Sequence, residues 1–271
     1  MGRAAGDGSH YTWVLRDLSS GKYDQSSTIS LPSVTTIIGR VLAKPALIPW
    51  TYRETRDAIS GLVHLLMIDA NNGEYTEHDV LELLADADEL EAYLKENKLR
   101  PEDQKTAAQN RGKAAHSMLE ELGLLALEND DAAADALAQR ILEKTTYTQF
   151  DKATASWWVD REPRVVASEH RLLSLTHRYA GSTDLIWRDR DDALVLTDLK
   201  SRRAGQPAWE SDHIQVGGYS IAWEEMGNPP IDRETVLVVR EDGTWDEYES
   251  TVDNRGVFLS LLDVYAKLTR R

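Results

Sequence analysis

At Pro163 the chain changes character: helical periodicity stops and short β-branched and apolar runs take over. Residues 165–167, 172–175, 182–187 and 194–197 are each too short for a helix and rich in side chains that suit a pleated, half-buried surface. Asp189-Arg190-Asp191-Asp192 separates the last two runs and reads as a hairpin turn. Asp184 stands on the first arm of that hairpin and Asp198 near the end of the second, 14 positions later. Two short antiparallel strands and a tight turn need that spacing if the carboxylates are to meet. Side chains alternate along a strand, so Asp198 and Lys200 share a face while Leu199 points the other way. The fold must therefore accommodate two carboxylates and an ammonium that converge on one spot.

The flanks of this hairpin read as mostly helical. Upstream, residues 11–15 suggest a short strand and 19–21 a Ser/Gly-rich turn. A helix is expected from near Pro49 to Ala70, ended by Asn71-Asn72-Gly73. Residues 77–95 predict one further helix, with Val80, Leu83, Leu84, Ala87 and Leu94 on its apolar side. Pro101 opens a longer helix over 101–128, and helical texture continues through 130–144 and 147–161. Downstream, 207–226 is helical and closes at Gly227-Asn228-Pro229-Pro230. Strands at 235–240 and 244–250 are joined by Glu241-Asp242-Gly243, and a last helix over 253–270 is capped by Asp253 or Thr251. This order predicts an α/β (α+β) core. The expected division is an N-terminal strand and helical elaboration over 1–100 and a core over 101–271.

Composition narrows the chemistry. A chain of 271 residues can bury a substantial core. Without cysteine it has no disulfide framework, no zinc–cysteine site and no cysteine-ligated iron–sulfur cluster, which fits a reducing cytoplasm. Its most apolar stretch, 59–68, is interrupted by Gly61 and His64 and is too short to span a bilayer. A soluble, cytoplasmic protein with no membrane partner is expected. The net charge of −15 argues against a nonspecific nucleic-acid coat. It leaves room for an enzyme that grips DNA through a local basic groove, since carboxylates meant for cations add negative charge themselves.

Two carboxylates and a lysine at one point suit phosphodiester hydrolysis. Carboxylate oxygens are hard ligands for Mg²⁺ or Mn²⁺, and such a cation activates water and offsets charge on the phosphorus centre. A lysine beside it orients the attacking water or stabilises the developing charge. An Asp-x-Lys at a strand end is by itself more often a solvated surface pair. Here it follows Gly181-Ser182-Thr183-Asp184 and precedes Gln215-Val216-Gly217-Gly218-Tyr219, whose Gln215 and Tyr219 share a helical face.

Gly-x-x-Asp, then Asp-x-Lys, then Gln-x-x-x-Tyr, in that order from about Arg111 to Tyr219, resembles the RecB-like branch of the PD-(D/E)XK nuclease superfamily. The resemblance implies a restriction-endonuclease-like core, with a mixed central sheet flanked by helices. It makes Asp184 and Asp198 metal ligands, the Leu199 carbonyl a further ligand and Lys200 the catalytic lysine. Gln215 and Tyr219 would support the site or touch the DNA backbone. The family also carries a helical histidine upstream, and Gly112-Lys113-Ala114-Ala115-His116 is similar to that segment. His116 is then a further metal ligand, although read alone it fits a packing histidine. Glu120, one turn later, is a weaker candidate. Glu169 matches an acidic residue before the Gly-x-x-Asp strand, and equally fits an exposed strand position.

Residues 33–50 resemble the N-terminal region of phage-encoded and CRISPR-associated RecB-like nucleases, many of which hold an iron–sulfur cluster through cysteines absent here. Trp50, Trp157, Trp158 and Trp209 are either packing residues or platforms for unpaired bases; His213 has no assigned role. The implied activity is Mg²⁺- or Mn²⁺-dependent DNA hydrolysis, as an exonuclease in recombination, repair or phage DNA processing. DNA ends would be the partner, and a homo-oligomer or recombination partner is compatible with the family. The alternatives are a catalytically silent nuclease-fold module that binds nucleic acid or protein, and a metal-dependent phosphatase or RNase.

Overall fold

The structure, a computed structural model, describes residues 10–16, 23–42, 56, 59–68, 72–73, 76–128, 131–250 and 252–269. Trp50, the turn expected at 19–21 and the start of the helix expected from Pro49 lie outside them; residues 59–68 of that helix are helical. Strands β1 (His10–Arg16) and β2 (Tyr23–Pro32) form an antiparallel pair, followed by helix α1 (Val34–Val41). Sequence reading found β1 but neither β2 nor α1. Its missed signal is Ser33, which N-caps α1 by accepting the Thr36 N–H at 3.0 Å.

Helices α2 (Glu77–Ala85) and α3 (Ala87–Glu96) replace the single helix expected over 77–95. Asp86 breaks it: its carboxylate accepts the N–H groups of Asp88 and Glu89 at 2.9 and 3.1 Å, so it caps a new helix instead of continuing the old one. Then come α4 (Pro101–Leu127), α5 (Asp131–Glu143) and α6 (Gln149–Arg161), all within a few residues of expectation.

The remaining elements are β3 (Arg164–Ser174), β4 (Tyr179–Arg188), β5 (Leu194–Arg202), α7 (Glu210–Glu225), β6 (Arg233–Arg240), β7 (Trp245–Glu249) and α8 (Asn254–Thr269). The two runs expected at 165–167 and 172–175 are one strand; the polar Ser168-Glu169-His170 between them hides its continuity. Strand order is β3-β4-β5-β6-β7, antiparallel except for β5 and β6. A parallel pair needs a long crossover, and α7 supplies it. The expected mixed sheet flanked by helices is what forms.

Alternation along the strands sorts their side chains into two cores. Leu185, Trp187, Val195, Leu199, Leu237 and Val239 meet α4, α5 and α6 on one face. Ile186, Leu194, Leu196, Val236 and Val238 meet α1, α7 and α8 on the other. Each fully buried side chain of this kind contributes roughly 1.5–3 kcal/mol. Between the strands, Trp187 Nε1 donates to Thr197 Oγ1, which bonds Thr235 Oγ1, both at 2.8 Å, and this chain ties β4, β5 and β6 into register.

Two compact units emerge: Lys44–Arg111, and Met1–Ala43 together with Gly112–Arg271. The division differs from a single cut after residue 100, because β1 and β2 pack on β4, and α1 on α7 and α8. Leu62, Leu66 and Leu83 form the small core of the first unit. Among the described residues no helix is long and apolar enough to cross a membrane.

Candidate active site

The β4–β5 hairpin delivers the carboxylates as its spacing requires. Leu185 pairs with Thr197, so Asp184 and Asp198 follow side by side beyond the last registered pair. Both are buried, at 8% and 2% exposure. Asp198 and Lys200 share the face of Leu194 and Leu196, whereas Leu199 points into the opposite core. Lys200 Nζ lies 2.5 Å from Asp198 Oδ2. The Leu199 N–H donates to Asp184 Oδ2 at 2.6 Å, so the backbone between Asp198 and Lys200 fixes the other carboxylate.

Helix α4 brings His116 to this point, with Nδ1 3.1 Å from Asp184 Oδ1. Glu169 arrives from β3. It has φ of +46°, and of the described non-glycine residues with positive φ it alone sits inside a strand. Such a conformation costs of order 1–3 kcal/mol and survives where surrounding structure enforces it. His116, Glu169 and Asp184 each present a ligand atom within 4.8 Å of the others. Asp198 is not in that trio; its oxygens face Lys200 and Gln215.

The electrostatics are those of crowded carboxylates. Burial, reinforced by the charge of Asp184, pushes Glu169 up to about 7. Burial and the same neighbour push Asp198 up to about 6, against the pull of Lys200. For Asp184 burial is outweighed by His116, Lys200 and the Leu199 N–H, which hold it below the ordinary carboxylate range. Burial would lower His116 and Lys200, but the carboxylates around them keep both above their usual values. Carboxylates that repel one another around an imidazole suit a divalent cation, whose charge would relieve the repulsion.

Helix α7 closes the site from behind. Gln215 Nε2 donates to Asp198 Oδ1 at 3.0 Å and to the Tyr219 hydroxyl at 2.8 Å, and both residues are buried. Gly181 makes room for them: a Cβ there would stand 2.5 Å from Tyr219 Cε1. Gly217 does the same for α8, since its Cβ would meet the Asn254 backbone at 2.7 Å.

Of the other residues singled out by sequence, Glu120 is outside the trio but close enough for its charge to act on Glu169. Trp157 and Trp158 are core residues, Trp209 is exposed, and burial lowers the His213 imidazole. Sequence reading missed Tyr11 of β1, whose hydroxyl is raised by burial and by the charges of Glu169 and Asp184, against Arg171. Nothing local in the sequence marks Tyr11. It also missed Arg202, which alternation from Asp198 through Lys200 would have found.

The chain matches the family model of the PD-(D/E)XK nuclease superfamily over residues 88–255. No curated protein matches it. Among solved structures, the crystal structure of SSO0001 is similar over 38% of this chain and 50% of that one, at 14% identity and a TM-score of 0.28. This chain thus spans half the length of that structure.

Proposed function

Because the chain belongs to the PD-(D/E)XK nuclease superfamily, we propose that it is a Mg²⁺- or Mn²⁺-dependent deoxyribonuclease acting as an exonuclease in recombination, repair or phage DNA processing. The observation that carries the hydrolytic reading is the convergence of His116, Glu169 and Asp184 beside the Asp198–Lys200 pair. Two hard carboxylates and an imidazole fit a divalent cation, and the nitrogen donor favours Mn²⁺ over Mg²⁺. His116, Glu169 and Asp184 would hold it, with Asp198 and the Leu199 carbonyl as further ligands. Such a cation lowers the pKa of a bound water and offsets charge on the scissile phosphate.

Lys200 presents its ammonium to the phosphate. It stabilises the charge that develops on the phosphate oxygens as water adds to phosphorus and the P–O bond to the leaving sugar oxygen breaks. Asp198 orients Lys200, and Gln215 with Tyr219 orients Asp198; Gln215 and Tyr219, both buried, are positioning residues. Their arrangement behind Asp198 supports the RecB-like branch, and with it action at DNA ends.

The test is digestion of end-labelled linear and circular DNA, single- and double-stranded, with Mg²⁺, Mn²⁺ or EDTA. Linear DNA should be degraded from its ends with either metal and not in EDTA, while circles resist. Cleavage of circles would reassign the enzyme as an endonuclease. No hydrolysis under any condition would favour a silent binding module, against which the intact Asp184, Asp198 and Lys200 now stand.

A further inference from the structure

The face that carries Asp198 and Lys200 does not end there. Alternation along β5 puts Arg202 on it too, roughly 6.6 Å beyond Lys200. Arg202 is almost buried, with Nη2 clamped 2.6 Å from Asp212 Oδ2. The same Asp212 oxygen accepts the backbone N–H of Trp209 at 2.9 Å, at the start of α7. The Arg202 guanidinium carbon lies 4.1 Å from the centroid of the Trp209 ring. A fixed cation therefore backs one face of the indole.

Trp209 nevertheless remains 45% open to solvent, and it is the one exposed tryptophan among the described residues. A single exposed apolar residue is ordinary. This one is held in a defined orientation over Arg202, two residues beyond Lys200, at the N-cap of the helix that carries Gln215 and Tyr219. The loop leading to it is tied down as well: the Gln206 carbonyl accepts Arg240 Nε at 3.0 Å.

We infer that Trp209 is a stacking platform for an unpaired base adjacent to the phosphate at Lys200. The inference rests on the nuclease reading above and deepens it: the preferred substrate is a single-stranded or frayed end. In a nucleic acid only the bases offer flat π-faces, and a face is free to stack on protein only where the base has left its duplex neighbours. Arg202 keeps the indole upright and adds local positive charge in a chain whose net charge is −15.

The experiment compares wild type, Trp209→Ala and Trp209→Phe. Binding in Mn²⁺ is measured by anisotropy with hydrolysis-resistant phosphorothioate oligonucleotides, one single-stranded and one a blunt duplex. Trp209→Ala should weaken single-strand binding about 5- to 150-fold, the equivalent of 1–3 kcal/mol for one stacked base. Trp209→Phe should recover most of that, and the blunt duplex should change much less. Unchanged single-strand binding in Trp209→Ala would overturn the inference, as would an equal loss on both probes, a Phe variant no better than Ala, or a wild type that binds no single strand. Cleavage of unmodified DNA by the same three proteins tests the nuclease reading separately. A wild type that cleaves while Trp209→Ala binds normally sinks only the platform, and one that never cleaves sinks the nuclease.

Discussion

The two ends of the buried polar cluster use the same residue type and differ in chemistry. At one end Asp184 accepts a backbone N–H and faces His116 and Glu169, a set of donors with no fixed positive charge among them. At the other, Asp198 is ion-paired to Lys200 and hydrogen-bonded by Gln215. At the first end burial, reinforced by the charge of Asp184, raises Glu169 to about 7; the second carries its own cation. Two aspartates that look interchangeable in the motif thus have different partners, Asp184 the His116–Glu169 cluster and Asp198 the Lys200 ammonium, and the roles proposed for them can be tested separately.

The largest expected effect comes from the first end. Asp184→Asn keeps the shape and the acceptor for Leu199 but removes the central charge, so hydrolysis should fall by about 10³-fold or more with Mn²⁺ affinity sharply reduced. Calorimetric titration beside Asp198→Ala sharpens the contrast, since Asp198→Ala should lose less affinity. Equal losses would make the two carboxylates equivalent after all.

Lys200→Ala comes next, with a rate loss on the order of 10²–10³-fold and metal affinity largely intact. A comparable fall in Mn²⁺ binding would show that the lysine end also shapes the cation end. His116→Ala should weaken metal binding about 10- to 100-fold, hurting the Mn²⁺ reaction more than the Mg²⁺ reaction, because only the nitrogen donor is lost. His116→Asp, with an all-oxygen shell, should move the preference towards Mg²⁺. Identical Mn²⁺/Mg²⁺ rate ratios in wild type and both variants would return His116 to a packing role.

The smallest effect tests the support behind Asp198. Gly181→Ala drives a methyl into the Tyr219 ring and should cost about 1–3 kcal/mol of stability, read by urea denaturation. Activity should drop modestly through Gln215 and Asp198 while Mn²⁺ affinity holds. A variant as stable as wild type would mean that Tyr219 moves aside freely.

Much of this was legible beforehand because it is local. Apolar periodicity placed α4 to α8 and β4 to β7, and the 14 positions between Asp184 and Asp198 fixed their meeting, since side-chain alternation and turn length leave a hairpin little choice. Where local signals compete, the reading failed: Asp86 turned one helix into two, and the polar centre of β3 concealed a strand.

The sequence by itself determined the hairpin, the shared face of Asp198 and Lys200, and the absence of thiol ligands, because each depends only on residue type and near-neighbour spacing. Tertiary structure alone decided that His116, 68 positions before Asp184, reaches its carboxylate, and that Glu169 is twisted to φ +46° to join them. It also decided that Lys200 pairs with Asp198 and that Tyr11 comes near the cluster from β1. Those outcomes depend on how separate elements pack. No short-range pattern encodes the packing, because the cost of a strained backbone or a buried charge is offset only by neighbours distant in the chain.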